Sequence, residues 1–199
     1  MIFHADPTGL PALAALALGF LVFFVSLLLA RTRRVLDAGE AGATRSPASV
    51  LGIALQGLGI GTASFGPQRV TLDPLSPAAL MQAALVAVLM AGAVALFFWA
   101  SRTMGRNWSL RARVREDHQL VTDGPFAWIR HPIYTAMLLF TLALAVAFGH
   151  PRQLLIGLPI FALGTMVRVR AEEALLRGMF GAAYDAWAVR VKRFVPGVL

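Results

Sequence analysis

The sequence predicts an all-α integral membrane protein. About five transmembrane helices are expected, the last two a short helical hairpin, followed by a C-terminal cytoplasmic amphipathic helix. Three observations lead there. The 199 residues are 58% hydrophobic with a mean hydropathy of +0.70, well above a soluble globular composition. The apolar residues gather in runs of bilayer length. The basic residues fall between those runs with a strong bias to one side.

A spanning helix needs roughly 20 apolar residues, each adding about 1.5 Å. Residues 10–30 carry no charge and meet that length, as do 48–66 and 77–101. No Lys or Arg precedes Arg31, so the first run lacks the basic leader of a signal peptide and reads as a retained helix. Gly52, Gly57, Gly59 and Gly61 line the second span, Gly57 and Gly61 as a small-xxx-small pair, and are expected to pack inside the bundle. Residues 37–47 read as a flexible cytoplasmic loop. Two shorter apolar runs, 133–149 and 153–167, flank Gly149-His150-Pro151-Arg152, a tight turn. Pro159 should kink the second arm. The tail 171–194 repeats Leu175, Leu176, Met179, Phe180, Ala183, Trp187 and Val191 at helical spacing. Gly181 divides it, and basic residues among the aromatics suit a helix on the inner leaflet.

The 18 Lys and Arg test the span count. Residues 31–45 hold four, 102–130 six and 168–193 six, leaving Arg69 and Arg152. Five spans put the sixteen on one side. The positive-inside rule then places the N-terminus outside and the C-terminus in the cytoplasm, in an inner or cytoplasmic membrane. The net charge of +8 is thereby explained by orientation and anionic membrane lipids, without nucleic acid. The whole chain, 1–199, is a single membrane domain. Three spans fill 1–101, and 102–199 carries the chemistry.

That second half holds two polar clusters. Residues 118–134 run His-Gln-Leu-Val-Thr-Asp-Gly-Pro-Phe-Ala-Trp-Ile-Arg-His-Pro-Ile-Tyr. Asp123-Gly-Pro125 is turn chemistry, and Pro132 fits a first helical turn. Trp128 and Tyr134 suit a membrane interface. The second cluster is Arg168-Val-Arg-Ala-Glu-Glu173. Arg168 and Glu172 share one helix face, and Arg170 and Glu173 another. A bland reading gives a re-entry loop and solvated ion pairs. The alternative is a functional mouth at membrane depth. No Cys is present, so thiolate chemistry is excluded. His118 and His131 are separated by twelve residues without a second ligand at metal spacing, which argues against a metal site. No GxGxxG, HExxH or GxSxG pattern occurs.

The order His-x-Leu-Val-Thr-x-Gly-x-aromatic-Ala-Trp-x-Arg-His-Pro-x-Tyr resembles the isoprenylcysteine carboxyl methyltransferase family, part of a superfamily with phospholipid N-methyltransferases and, more distantly, sterol reductases. The later Arg168, Glu172-Glu173, Phe180-Gly-Ala-Ala-Tyr184 and Val191-Lys-Arg-Phe-Val-Pro196 extend the likeness. The resemblance covers about the C-terminal half. It implies S-adenosyl-L-methionine as cofactor, with His118, Gln119, Leu120, Val121, Phe126, His131, Pro132, Ile133, Tyr134 and Glu172 binding it. It implies that Arg168 binds the methyl acceptor, with Arg168 and His131 as the catalytic pair. Asn107 and Arg111 fall where the family has an Asn and often a Gln, so Arg111 departs from the pattern. The implied partner is a lipophilic acceptor entering from the bilayer.

Methyl transfer from a sulfonium is an in-line displacement. A carboxylate acceptor is already ionised at neutral pH, so orientation and charge placement matter more than a base. An amine acceptor would need deprotonation, with His131 or a Glu as base. A phospholipid amine or thiol methyltransferase, a nicotinamide-dependent reductase and a non-catalytic scaffold remain as alternatives.

Overall fold

A computed structural model describes residues 5–37, 47–105 and 120–198. In order these form β1 (Pro7–Thr8), α1 (Leu10–Asp37), α2 (Pro47–Ser64), β2 (Arg69–Val70), α3 (Pro77–Met104), α4 (Pro132–Ala147), α5 (Leu154–Phe180) and α6 (Ala182–Arg190). Single 3-10 turns occupy Gly124–Ala127 and Pro151–Gln153. Asp37 belongs to α1 rather than to the loop expected at 37–47, and 38–46 lie outside the described residues.

Local chemistry sets the helix ends. Ser76 caps α3 by accepting from the Ala79 amide at 3.3 Å, and Pro77 fills the first turn. Pro132 opens α4 in the same manner. α5 stops at Gly181, whose φ of +49° an L side chain rarely adopts.

Leu10–Leu29, Pro77–Met104 and Pro151–Phe180 are long and apolar enough to cross a membrane, while Ala48–Ser64 and Pro132–Ala147 are shorter apolar helices. Inside the protein only 17%, 28% and 33% of the three long stretches is buried. Leu18, Leu21, Val88 and Leu155 face outward. Such a surface suits hydrocarbon rather than water. The chain is an all-α integral membrane protein.

α3 packs between α1 and α4, and α2 packs along α5. Ala12, Leu16, Val86, Met90, Ala143 and Ala147 form the core of the first group. Phe23 sits 4.8 Å from Phe97 and 5.6 Å from Phe140, ring centre to ring centre. The α2–α5 contact is made by glycines on both sides. A Cβ on Gly59 would lie 2.5 Å from the Phe161 nitrogen, and one on Gly164 would lie 2.7 Å from the Gln56 nitrogen. Gly52 and Gly157 are crowded in the same way. This corrects the expected packing pair, since Gly57 and Gly61 face open space. α5 presents its own glycines seven residues apart, and the equal spacing of Gly52 and Gly59 matches them on one face.

The 149–152 turn forms as expected, with Gly149 at φ +72°. It is tied down at that end of the bundle. The Asp6 amide donates to the Gly149 carbonyl at 2.8 Å, His150 Nε2 donates to the Pro67 carbonyl at 2.9 Å, and Gln153 donates to the Phe65 carbonyl at 2.8 Å. β1 and β2 pair in parallel beside it.

Two boundaries differ from expectation. The second hairpin arm does not stop at 167. α5 continues through Pro159 and carries Arg168–Glu173 within one helix, because no breaker intervenes before Gly181. The tail is not helical to 194. α6 ends at Arg190, and Val191 turns extended. Ile129 and Lys192 then form a parallel bridge, with the Arg130 amide donating to the Lys192 carbonyl at 2.7 Å and the His131 amide to Arg193 at 2.9 Å. Pairing with this backbone replaces the helical hydrogen bonds.

Candidate active site

The site forms where the start of α4 meets the C-terminal half of α5. Tyr134 lies in the first turn of α4, and its hydroxyl donates to Glu172 Oε1 at 2.5 Å while accepting from Arg168 Nε at 2.6 Å. A second Arg168 nitrogen donates to the same Glu172 oxygen at 3.1 Å. The guanidinium also lies 5.5 Å from the Tyr134 ring centre, a cation–π distance. Arg168 is 7% exposed. A buried guanidinium is tolerated when charged and hydrogen-bonded partners surround it.

His131 caps this group from the loop before α4. Its Nε2 is 3.2 Å from Glu173 Oε1, and its Nδ1 is 3.8 Å from Glu172 Oε2. Glu173 is the most connected carboxylate. Arg193 grips it with two bonds of 3.0 and 2.7 Å, and Arg130 approaches at 3.2 Å. The hydrogen bond to Glu173 raises Arg193 further above its usual pKa. Burial, with the Glu173 charge adding to it, pushes the Tyr184 phenol up to about 12. Among the described residues here, three guanidiniums face two carboxylates, before any charge on His131 is counted.

The expected site residues divide into groups. His131, Tyr134, Arg168 and Glu172 meet directly, and Pro132 is buried beside them at the head of α4. Leu120, Val121, Phe126 and Ile133 pack in an apolar cluster with Ala100, Tyr184, Trp187 and Val191. Trp187 Nε1 donates to the Phe126 carbonyl at 3.2 Å, so α6 holds that loop in place. His118 and Gln119 lie outside the described residues, as do Asn107 and Arg111. Sequence reasoning paired Glu173 with Arg170. Arg170 is exposed, whereas Glu173 is buried and turns to Arg130, His131 and Arg193. The Glu pair was the available signal, since adjacent helical positions cannot both face Arg168.

Comparison with known proteins follows this geometry. Residues 83–178 match the isoprenylcysteine carboxyl methyltransferase family. The match contains the whole polar cluster except Arg193. Among relatives, the protein-S-isoprenylcysteine O-methyltransferase of Schizosaccharomyces pombe is 33% identical over 82 residues, covering 41% of this chain and 34% of its own length. Protein-S-isoprenylcysteine O-methyltransferase B of Arabidopsis thaliana is 31% identical over 98 residues, covering 48% of this chain and 50% of its own. The uncharacterized protein YpbQ of Bacillus subtilis is 28% identical over 80 residues, covering 40% and 48%. The chain spans half or less of the length of these relatives.

Proposed function

We propose that this chain is a membrane methyltransferase that uses S-adenosyl-L-methionine to methylate the carboxylate of a lipophilic acceptor, of the isoprenylcysteine type. The observation that carries the reading is the Tyr134–Arg168–Glu172 cluster, with Tyr134 and Arg168 buried, inside the segment that matches the family. The relatives named as O-methyltransferases support it.

The residues present suit this cofactor. Tyr134 and Arg168 both use Glu172 Oε1, while Oε2, which His131 approaches at 3.8 Å, suits a cationic ammonium or sulfonium. Arg130 Nε is buried without a partner, a donor suited to the cofactor's carboxylate. The bound cofactor supplies an electrophilic methyl group. His118, Gln119, Leu120, Val121, Phe126, Pro132 and Ile133 complete its pocket. His131 orients the amino-acid end through its place beside both glutamates. Arg168 holds the acceptor carboxylate in line, and Tyr134 fixes the guanidinium plane. With an ionised acceptor no proton has to be removed. The acceptor enters from the bilayer between helices. Five spans with the N-terminus outside put sixteen of the eighteen Lys and Arg on the cytoplasmic side with this cluster.

Calorimetric titration of the detergent-purified protein with S-adenosylhomocysteine, beside His131→Ala, tests the reading. Saturable binding that the variant loses is expected. A folded wild type that binds none defeats the proposal, and NADPH is then the ligand to titrate for a reductase. Among variants, Glu172→Ala should weaken S-adenosylhomocysteine binding, whereas Arg168→Ala should chiefly raise the acceptor KM.

A further inference from the structure

α2 lies outside the family segment, yet one of its faces runs to the cluster. Its register against α5 is antiparallel and fixed at several points. Gly52 abuts Gly164 and Arg168, Gln56 donates to Thr165 at 2.9 Å, Gly59 meets Gly157 and Phe161, and Ala63 meets Gly157. Residues 49, 52, 56, 59 and 63 thus share one face. One turn before Gly52, that face carries Ser49, and the antiparallel register carried on by one turn sets it level with Arg168–Glu172.

Ser49 is 6% exposed, and its hydroxyl is buried without a hydrogen-bond partner. The other described hydroxyls of α2 differ. Thr62 donates to the Leu58 carbonyl and Ser64 to the Ile60 carbonyl, each at 2.8 Å. Ser49 is the third residue of α2 and has no helical carbonyl four residues back. A buried hydroxyl left unpaired is costly and asks for a ligand. The first turn of a helix also carries the positive end of its dipole.

Gly52 supplies a second, independent constraint. A Cβ there would overlap Arg168 Cγ and stand 2.9 Å from the Gly164 carbonyl oxygen. Only the bare backbone lets the Arg168 stem pass along α2 to reach Tyr134 and Glu172.

We infer that the first turn of α2 is a wall of the acceptor pocket, where the Ser49 hydroxyl donates to the same anionic group that Arg168 holds and Gly52 makes room for Arg168. Gly52 is a positioning residue, and Ser49 touches the acceptor. The inference rests on the carboxyl-methyltransferase reading for the identity of that anion.

The test uses the full chain in detergent, with an N-blocked S-farnesylcysteine and its methyl ester as probes and S-adenosylhomocysteine in parallel. Wild type should bind the acid more tightly than the ester. Ser49→Ala should weaken acid binding about fivefold, the order expected for one neutral hydrogen bond, and leave ester and S-adenosylhomocysteine binding unchanged. Ser49→Thr, which keeps the hydroxyl, should retain the acid preference. Gly52→Ala should lose it by displacing Arg168. An acid-to-ester ratio in Ser49→Ala equal to wild type overturns the inference, as does a wild type that binds S-adenosylhomocysteine but not the acid. A Ser49-dependent preference for the acid without S-adenosylhomocysteine binding would uphold the pocket and defeat the methyltransferase reading.

Discussion

Glu173 is the side chain on which the polar cluster turns. Arg130, His131 and Arg193 all converge on it, and only Arg193 among them is substantially exposed. Removing the charge leaves the buried Arg130 guanidinium without its counter-ion. Glu173→Gln should therefore lower stability by about 2–4 kcal/mol, read as a drop in thermal unfolding temperature in detergent. Tyr184 gives a pH signature. Its folded pKa lies near 12 against an ordinary value of 10.0. The stabilisation from the buried neutral phenol is complete below pH 10 and is lost as pH rises toward 12, because the unfolded phenol ionises first. Alkaline melting curves should show this decline, and Tyr184→Phe should flatten it.

Helix contacts behave differently on the two sides of α2. Gly59 faces the α5 backbone, while Gly57 faces open space. Gly59→Val should destabilise by about 1–3 kcal/mol through overpacking, and Gly57→Val should leave the melting temperature nearly unchanged. Hydropathy alone made both glycines candidates. The spacing that decides between them belongs to the partner helix, Gly157 and Gly164, and no single-helix pattern contains it. The helix extents were legible for a related reason. Ser76-Pro77, Pro132 and Gly181 are local signals, and the observed ends fall close to them. The break from helix after Arg190 was not legible, since residues 192–193 pair with 129–131 far away in sequence. Likewise Tyr134, Arg168 and Glu172 stood out from their motifs. Glu173 was assigned to the wrong arginine, because a helix wheel shows which faces exist but not which face is covered.

The molecule as a whole offers a direct test of its orientation. The chain has no cysteine, so introduced cysteines report without background. With the N-terminus outside, Arg69→Cys and Arg152→Cys should react with an impermeant maleimide added to intact cells. Arg190→Cys should react only after permeabilisation. Reversed labelling would invert the proposed topology and put the Arg168 cluster on the side away from the cytoplasmic cofactor pool.

The approach of Gly52 to Arg168 makes one surface the packing seam and, in the proposed pocket, the binding wall as well. At open positions such as Gly57 and Gly61, a directed-evolution campaign for heat resistance can add side chains without meeting a neighbour. At position 52 an added methyl group must unseat the arginine, so libraries screened only for melting temperature should drift toward well-folded proteins that no longer hold the proposed acceptor. Holding position 52 constant is the practical rule for stabilising this protein while keeping its chemistry.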